Sequence, residues 1–414
     1  MWKRLLSLMI GLILVPSAMA MAAQTAPPTQ RFTLNDCLKL GFAYSPDIQT
    51  ATKNVDVLQE SVNQAKAALM PTLGYNVSHT GTDSSNYNSG SLTLDLPLFT
   101  HNKLANNLKA TQLQLEKTRE DERQTRLELT YKIKNVFYDL WLKEQELAVA
   151  QASYDNLGEH YQTVKKYCEV GKKAEFELLE AEVAWKQQKA KVTSAQSNVL
   201  IAKLTLATLI GIDRDQDFEI IDDAALQQVP DQFTKDLKTL LNQAEKERPD
   251  LRQAARDIQI AELNVAITKA SNYPSVSFSG GENDLNKEFQ WTFGISGTLY
   301  DNHATASKVK AALQKVDLAK ISEIKVQNSM RETVQKVYQN TQVDLENAAA
   351  YKANIDLTKE DLRLTEIRYK AGMSTILDVR DRQLDLDNAK NNYYQAVASY
   401  MTDLAQLDME LGNE

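Results

Sequence analysis

The sequence contains few residues that interrupt regular secondary structure. Of its 414 residues, 14 are glycine and 9 are proline. Because these two residues end or kink helices and strands, their scarcity predicts long regular elements. The length, together with a hydrophobic content of 43%, suits one large or two ordinary globular units.

Long hydrophobic runs are missing beyond the N-terminus. Residues 1–20 carry Lys3 and Arg4, an apolar segment at Leu5–Val15, and the small residues Ser-Ala-Met-Ala, a pattern that predicts a secretory signal peptide. Its apolar segment is too short for a membrane-spanning helix. No other stretch of about 18 apolar residues follows, so any membrane crossing by the mature chain has to be made by β-strands.

Positive charge is in the minority. The net charge is −8 and becomes −10 once Lys3 and Arg4 leave with the signal peptide, which argues against a nucleic-acid partner. Only two cysteines occur, Cys37 and Cys168, far apart in helical patterns. A disulfide would be possible in an oxidising compartment, but we interpret both as small apolar side chains.

Residues that carry catalysis or bind metals are scarce and scattered. The four histidines, His79, His101, His160 and His303, have no metal-binding spacing, and glycine loops that hold phosphate are absent. The sequence therefore predicts neither an enzyme nor a metal or cofactor site.

Three stretches alternate between apolar and polar side chains, as a β-strand with one apolar face does. The clearest is Phe289–Tyr300. At roughly 3.4 Å per residue and a tilt of about 40°, such a strand covers roughly 30 Å, the thickness of the hydrocarbon layer of a membrane. The positions predicted to face lipid are Leu73, Tyr75, Val77, Leu92, Leu94, Leu96, Phe289, Trp291, Phe293 and Ile295. Leu98 and Leu299 continue the alternation.

These stretches belong to two predicted β-hairpins, at about 72–100 and 275–301. The polar segments Thr80–Gly90 and Glu282–Glu288 are the predicted loops. A half-buried strand of a soluble sheet shows the same alternation, so this alternative stays open for any one strand taken alone.

Helical patterns surround the hairpins. Thr33–Leu69 is interrupted at Pro46, Lys103–Lys166 is free of proline, and Phe176–Ile210 follows a break at Gly171. The longest of these helices would reach about 95 Å, far more than a globular helix. A helix of this length predicts a coiled coil or a repeat.

The pattern then occurs a second time. Gly171 returns as Gly372, 201 positions later, and Pro46 as Pro249, 203 positions later. The predicted organisation is a flexible lead-in at 21–31, a first repeat at 32–211, a linker at 212–234 and a second repeat at 235–412.

Two hairpins contribute four strands, which cannot close a barrel in a membrane without leaving unpaired backbone groups in lipid. Two, three or four copies of the chain would supply 8, 12 or 16 strands, and closed barrels need about eight or more. The strands alone do not choose among these numbers. In each case the polar strand faces would line a wet interior.

The ordered set of signals resembles the TolC-like outer membrane efflux protein family over roughly residues 32–412. It includes the two Pro-Asp pairs that follow residues 45 and 248, Leu-Pro-Leu-Phe at 96–99, and Tyr-Lys-Ala-Gly with Leu-Asp-Val between 369 and 379. The resemblance implies a mainly α fold, in which duplicated long-helix coiled coils form an α-barrel and four strands per chain contribute to a trimeric 12-stranded transmembrane β-barrel.

The resemblance also implies a function. A homotrimer in the outer membrane lipid, with a periplasmic extension, would act as the gated exit channel of a tripartite efflux or type I secretion system. It would dock onto a periplasmic adaptor protein and an inner-membrane transporter. The alternative from another class is a secreted periplasmic coiled-coil scaffold, and a third possibility is an open general porin.

Site residues follow from the same resemblance. Asp378, Asp381 and Tyr369 match residues of the family's periplasmic gate. Where the family has an arginine two positions after the glycine, this chain has Ser374, and Lys173 takes the corresponding place in the first repeat. The residues expected to meet the adaptor at the helix tips are Val170, Gly171, Lys172, Ala371, Gly372, Met373 and Ser374.

Overall fold

The computed structural model of the chain describes residues 30–82, 85–213, 218–221, 226, 229–230, 232–283 and 288–413. The predicted signal peptide and most of the predicted lead-in lie outside these residues. Within them, the helices are α1 (Leu34–Tyr44), α2 (Pro46–Ala67), α3 (Lys103–Glu169), α4 (Glu175–Ile210), α5 (Leu237–Glu247), α6 (Pro249–Ala270), α7 (Ala304–Lys370) and α8 (Ile376–Glu410). The strands are β1 (Gln30–Phe32), β2 (Thr72–Thr82), β3 (Ser85–Phe99), β4 (Phe218–Ile220), β5 (Ser275–Asn283) and β6 (Glu288–Ser296).

The helices occur as two matching sets. α1 and α5 have 11 residues each, α2 and α6 have 22, and α3 and α7 have 67. At 1.5 Å per residue, the longest pair reaches about 100 Å. α3 packs along α4, α7 packs along α8, and α3 also contacts α6 and α8. The fold is therefore mainly helical, as predicted, with two long helical hairpins side by side.

Local sequence sets the helix boundaries. Thr33 caps α1 in a capping box with Asp36, whose carboxylate accepts from the Thr33 backbone. Pro46 and Pro249 stand at the first turn of α2 and α6, where a missing N–H costs nothing, and each forces the preceding residue out of helical geometry. The predicted break at Pro46 is confirmed.

Four strands form one antiparallel sheet in the order β2-β3-β5-β6. The hairpins pair further than predicted. Thr80 pairs with Tyr87 and Thr82 with Ser85, so most of the predicted loop Thr80–Gly90 is strand. Backbone pairing needs no apolar side chains, and the polar composition of this segment therefore did not mark a loop.

The second hairpin has shorter boundaries than predicted. β6 ends at Ser296, and Leu299 lies beyond the strand and is fully exposed. Glu282 and Glu288, predicted to belong to the turn, are paired with Phe289 and Asn283. The remaining turn residues, 284–287, lie outside the described residues.

A β-bulge interrupts the predicted alternation near the end of β3. Pro97 pairs with Ser277 and Phe99 with Val276, which leaves Leu98 without a partner of its own. Phe99, not Leu98, therefore continues the apolar row at this end of the strand. Proline cannot donate to the ladder, which fits its place beside the irregularity.

The segment predicted as the linker contributes apolar side chains to the core, and the end of the predicted lead-in pairs with it. β1 and β4 pair in parallel, with Phe32 opposite Ile220, and Phe218 is 2% exposed. Phe218 and Leu226 belong to the main apolar cluster together with Ile133 of α3. These few apolar residues in an Asp- and Gln-rich segment are enough to anchor it, because burying each side chain contributes roughly 1.5–3 kcal/mol.

Other core features follow simple packing rules. Gly41 of α1 lies so close to α3 that an added Cβ would come within 2.3 Å of Ile133 Cδ1. Both cysteines are free, Cys37 is buried and Cys168 is half-buried, in agreement with their interpretation as unpaired side chains. Judged by length and hydropathy, none of the described helices qualifies as a membrane span.

The contact between α7 and α8 contains two carboxyl groups. Asp344 of α7 and Asp403 of α8 are near enough for each to affect the pKa of the other. Burial, and then the negative charge of Asp344, raise the pKa of Asp403 to about 6. Two carboxyl groups that interact directly favour holding one proton between them.

Replacing Asp403 with asparagine should therefore change how stability depends on pH. The folded-state pKa of Asp403 lies above the unfolded value of about 3.9, so its stabilisation is present at low pH and is lost as pH rises through about 6. Asp403→Asn should raise the thermal midpoint at pH 7.5 by roughly 2–4 °C and reduce the gain between pH 7.5 and 5.5. Melting followed by circular dichroism measures both. Asp356→Asn, an exposed change on α7, is the control, and an unaltered pH dependence in Asp403→Asn would contradict the assignment.

Candidate functional site

One face of the four-stranded sheet is apolar across its whole width. In the register, Leu73 lies beside Leu94, Leu94 beside Gly280, and Gly280 beside Trp291, and paired residues of an antiparallel sheet point to the same side. All ten residues predicted to face lipid lie on this side. Tyr75 is 84% exposed and Ile295 is 76% exposed.

Aromatic contacts tie this face together. The rings of Phe278 and Phe293 are 5.0 Å apart, and Trp291 meets Phe293 edge to face at 5.8 Å. Glu282 lies in the same row as Phe289, at the loop end of the sheet. An exposed apolar surface that spans four strands is far larger than the scattered apolar residues of a water-soluble surface.

The opposite face is polar. One row across all four strands consists of Thr72, Asp95, Ser279 and Thr292. Hydroxyl pairs bridge neighbouring strands, with Ser78 and Ser89 oxygens 2.7 Å apart. The sheet thus separates an apolar phase from a wet one, and its outer strands β2 and β6 have one unpaired edge each within the described residues.

The far ends of the long helices have the same geometry in both repeats. Gly171 and Gly372 have φ values of 69° and 72°, the left-handed region that glycine adopts without strain. The N–H of Lys172 donates to Tyr167 and that of Met373 donates to Arg368, which closes each helix with a Schellman motif. A Cβ added at either glycine would meet nothing within 4 Å.

Both tips are open to solvent. Val170 is 65% exposed and Met373 is 69% exposed, while Ser374 is half-buried. Each tip thus carries one exposed apolar side chain at the end of a long helix. The predicted tip residues therefore lie on the two turns that follow the long helices.

Tyr369 meets residues of the first repeat. The Lys173 ammonium lies 5.0 Å from the centroid of the Tyr369 ring, and Lys173 also forms an ion pair with Glu177. The hydrogen bond to Glu177 raises the pKa of Lys173. Lys173 follows α3 and Tyr369 lies in the last turn of α7, so this cation–π contact joins the two helical hairpins near their tips.

His160 completes this cluster. Its ring centroid is 5.6 Å from that of Tyr369, and its Nε2 is buried without a hydrogen-bond partner. Burial lowers the pKa of His160, and the charge of Lys173 lowers it further. The cluster borders a groove of about 700 Å³ between the two helical hairpins. Sequence reasoning did not place His160 beside Tyr369, because the two residues are 209 positions apart in the chain.

Asp378 and Asp381 have partners within their own segment, at the start of α8. Asp378 accepts hydrogen bonds from the Thr375 backbone at 2.7 Å and from the Thr375 hydroxyl at 2.8 Å, and the former contributes most to lowering the pKa of its carboxyl. Asp381 is exposed, with Arg380 at 3.7 Å. The Thr-x-x-Asp spacing of this capping box was readable from the sequence.

Ser374 stands where the family has an arginine, and its hydrogen bond is a local one. Its hydroxyl donates to Asp378 at 3.3 Å, within its own turn. A cation that does contact the ring of Tyr369 is Lys173 of the first repeat. In the described part of the chain, no three His, Cys, Asp or Glu side chains are arranged to hold a metal ion.

Comparison with known proteins agrees with this architecture. A family model described as outer membrane efflux protein matches residues 42–212 and 240–413. Nodulation protein T of Rhizobium leguminosarum bv. trifolii is 23% identical over 406 residues, covering 92% of this chain and 85% of that protein. Outer membrane protein TolC of Escherichia coli K12 is 23% identical over 443 residues, covering 99% and 86%.

Among solved structures, CusC, whose crystal structures concern folding and transmembrane channel formation, superimposes with a TM-score of 0.82. The two chains are 16% identical, and 92% of each is covered. The shared fold combines an α-barrel with a β-barrel. Since the family model matches most of both repeats, the chain belongs to the outer membrane efflux protein family.

Proposed function

We propose that this outer-membrane efflux channel is a gated exit duct built from three copies of the chain. The observation that carries the proposal is the four-stranded sheet with one apolar face, one polar face and two unpaired edges. Three such sheets joined edge to edge give 12 strands, enough to close a barrel. The residues from Leu73 to Ile295 on the apolar face would then contact lipid, and the row containing Thr72 and Thr292 would line the lumen.

The long helices extend the duct into the periplasm. α3 and α7 continue from the strands and reach about 100 Å, which an open general porin does not need. A periplasmic scaffold would need a sheet compatible with water on both faces, and Tyr75, Trp291 and Ile295 expose too much apolar surface for that. The duct is therefore favoured over both alternatives.

The duct is passive in this proposal, so energy and substrate choice come from its partners. The exposed tips around Gly171 and Gly372 would dock onto a periplasmic adaptor protein, which connects the duct to an inner-membrane transporter. The tips suit this role because they close the long helices at the ends away from the strands and carry exposed Val170 and Met373.

The gate would lie next to these tips, on the side toward the sheet. Lys173, Tyr369 and Glu177 hold the two hairpins of one chain together, and Asp381 projects into solvent near the start of α8. Three copies would place three Asp381 carboxylates around the axis, which attracts cations and repels anions. Asp378 would add a second ring while it also caps α8.

Weakening the Lys173 contact should open the gate. Lys173→Gln removes both the ion pair with Glu177 and the cation–π contact with Tyr369. We expect the single-channel conductance in planar bilayers to rise several-fold over the wild type. Lys172→Gln, the exposed neighbour, should leave conductance unchanged. If neither the wild type nor the variant conducts ions, the duct itself is wrong; if both conduct equally, Lys173 is not part of the gate.

Removing the charge of Asp381 should lower cation selectivity. Asp381→Asn keeps the size of the side chain and leaves the Thr375–Asp378 capping box intact, so the start of α8 is preserved. Reversal potentials in a salt gradient should shift toward zero, and block by divalent cations should weaken. Asp385→Asn, one turn further along α8, serves as the control. Unaltered selectivity in Asp381→Asn would exclude this carboxylate from the gate.

A side chain at Gly372 should impair docking without disturbing the fold. Asparagine tolerates the left-handed conformation, and its Cβ meets nothing within 4 Å in the chain. Gly372→Asn should therefore assemble normally and still lose most solute export from cells. Glu346→Asn, an exposed change higher on α7, should export normally. Full export by Gly372→Asn would argue that this tip does not pack closely against a partner.

A further inference from the structure

The two repeats contact each other through junctions that are present only once in a chain. β3 of the first repeat pairs with β5 of the second, and α3 packs against both α6 and α8. The reverse junctions would join β6 to β2, and α7 to α2 and α4. Within the described residues of one chain, β6 and β2 are not paired, and α7 makes no comparable contact with α2 or α4.

The junction inside the chain, between α3 and α6, is charged. Lys117 contacts Asp257 at 2.8 Å, and Glu116 contacts Arg256 at 2.8 Å. Further along, Glu120 lies 3.6 Å from Arg252. Arg123 donates to the backbone oxygen of Glu247 at 2.9 Å. Lys117, Glu120 and Arg123 thus form one stripe on α3, at a spacing of three residues.

The same stripe on α7 is apolar. Because α7 repeats α3 with an offset of 201 residues, the counterparts of Lys117, Glu120 and Arg123 are Leu318, Ile321 and Ile324. Their exposed fractions are 64%, 61% and 55%. Three branched apolar side chains on one exposed helix face indicate a surface that binds another protein surface.

The partner surface is found by the same mapping. With the offset of 203 residues between α2 and α6, Asp257, Arg252 and Glu247 correspond to Asn54, Gln49 and Tyr44. All three lack a charge, so none would bury an unpaired ion against the apolar stripe. Tyr44 is 58% exposed, and Val57, one turn beyond Asn54, is 62% exposed.

One ion pair of the internal junction has counterparts that carry the same charges. Arg256 corresponds to Lys53, and Glu116 corresponds to Asp317. Asp317 is exposed, and Lys53 pairs with Asp56 on its own helix. The contact of 2.8 Å between Arg256 and Glu116 therefore predicts a Lys53–Asp317 contact between two chains.

We propose that Leu318, Ile321 and Ile324 of one chain pack against Tyr44, Asn54 and Val57 of a second copy, with Asp317 facing Lys53. This intermolecular seam repeats the internal α3–α6 junction with apolar side chains in place of charges. It rests on the proposed duct of three copies, since a head-to-tail contact of this kind closes into a ring when the rotation per copy permits it. The same step would bring β6 of one chain beside β2 of the next.

A second contact points to the same neighbour. Met401 and Ala405 of α8, the helix that packs against α3, are each 4% exposed, and Met401 belongs to the main apolar cluster. Their counterparts on α4 are Leu200 and Leu204, which are 59% and 38% exposed. By the mapping, α4 of the second copy packs on α7 of the first. The proposed neighbour would therefore cover Leu200 and Leu204, as the chain itself covers Met401 and Ala405.

Cysteine cross-linking tests the seam directly. In a Cys168→Ser background, with Cys37 buried, Asn54→Cys and Leu318→Cys should form disulfides between chains on mild oxidation and give covalent dimers and trimers on non-reducing gels. The counterpart pair, Lys117→Cys and Asp257→Cys, should link within a chain and keep the monomer mass. A native mass of three chains without any Asn54–Leu318 cross-link would overturn the seam and leave the duct intact. A native mass of one chain for the wild type would refute the duct as well.

A second test replaces the apolar side chains of the seam with the charged side chains found at the internal junction. Leu318→Lys with Ile321→Glu and Ile324→Arg should lower the fraction of trimer in detergent at least about tenfold. Leu318→Met with Ile321→Val and Ile324→Val keeps the stripe apolar and should assemble as the wild type does. Circular dichroism checks that the helices persist in both variants. Equal trimer fractions for the two variants would contradict the proposal.

Discussion

Lipid offers no hydrogen bonds to a peptide group, and the sheet of this chain has to meet that condition along two edges. β2 and β6 each present a row of unpaired N–H and C=O groups beside an apolar face that includes Tyr75 and Ile295. Leaving such groups in hydrocarbon costs several kcal/mol each, so the edges have to be paired. Four strands are too few to curl round and pair with each other. Further copies of the chain are the natural way to meet the condition.

The duplication makes that solution possible. Because α3 and α7 have the same 67 residues of length, both hairpins begin at the sheet and reach the same distance to Gly171 and Gly372. A ring in which six repeats alternate can then keep its strands level at one end and its tips level at the other. The offset of 203 in α2 against 201 in α3 is absorbed between them, in the hairpins.

Proline, glycine and strict alternation made much of this fold predictable from sequence. Pro46 and Pro249 mark helix starts, and Gly171 and Gly372 mark left-handed helix ends, because each residue imposes a local backbone geometry. What could not be predicted depends on distant partners. Leu98 looks like part of a regular alternation until its neighbour in the other repeat is known, and β4 pairs with a strand about 190 residues earlier. His160 meets Tyr369 only after two hairpins pack together.

The internal junction and the proposed seam between chains would have different physical consequences. A charged contact such as Lys117 with Asp257 holds the repeats of one chain in register, since it fixes direction and distance, but it contributes little net energy where water has access. An apolar stripe such as Leu318 to Ile324 gains free energy in proportion to the area removed from water, and it has weaker directional preference. Register within the chain and association between chains can therefore be supplied by different residues. A repeat whose two copies had stayed identical could not separate these two requirements.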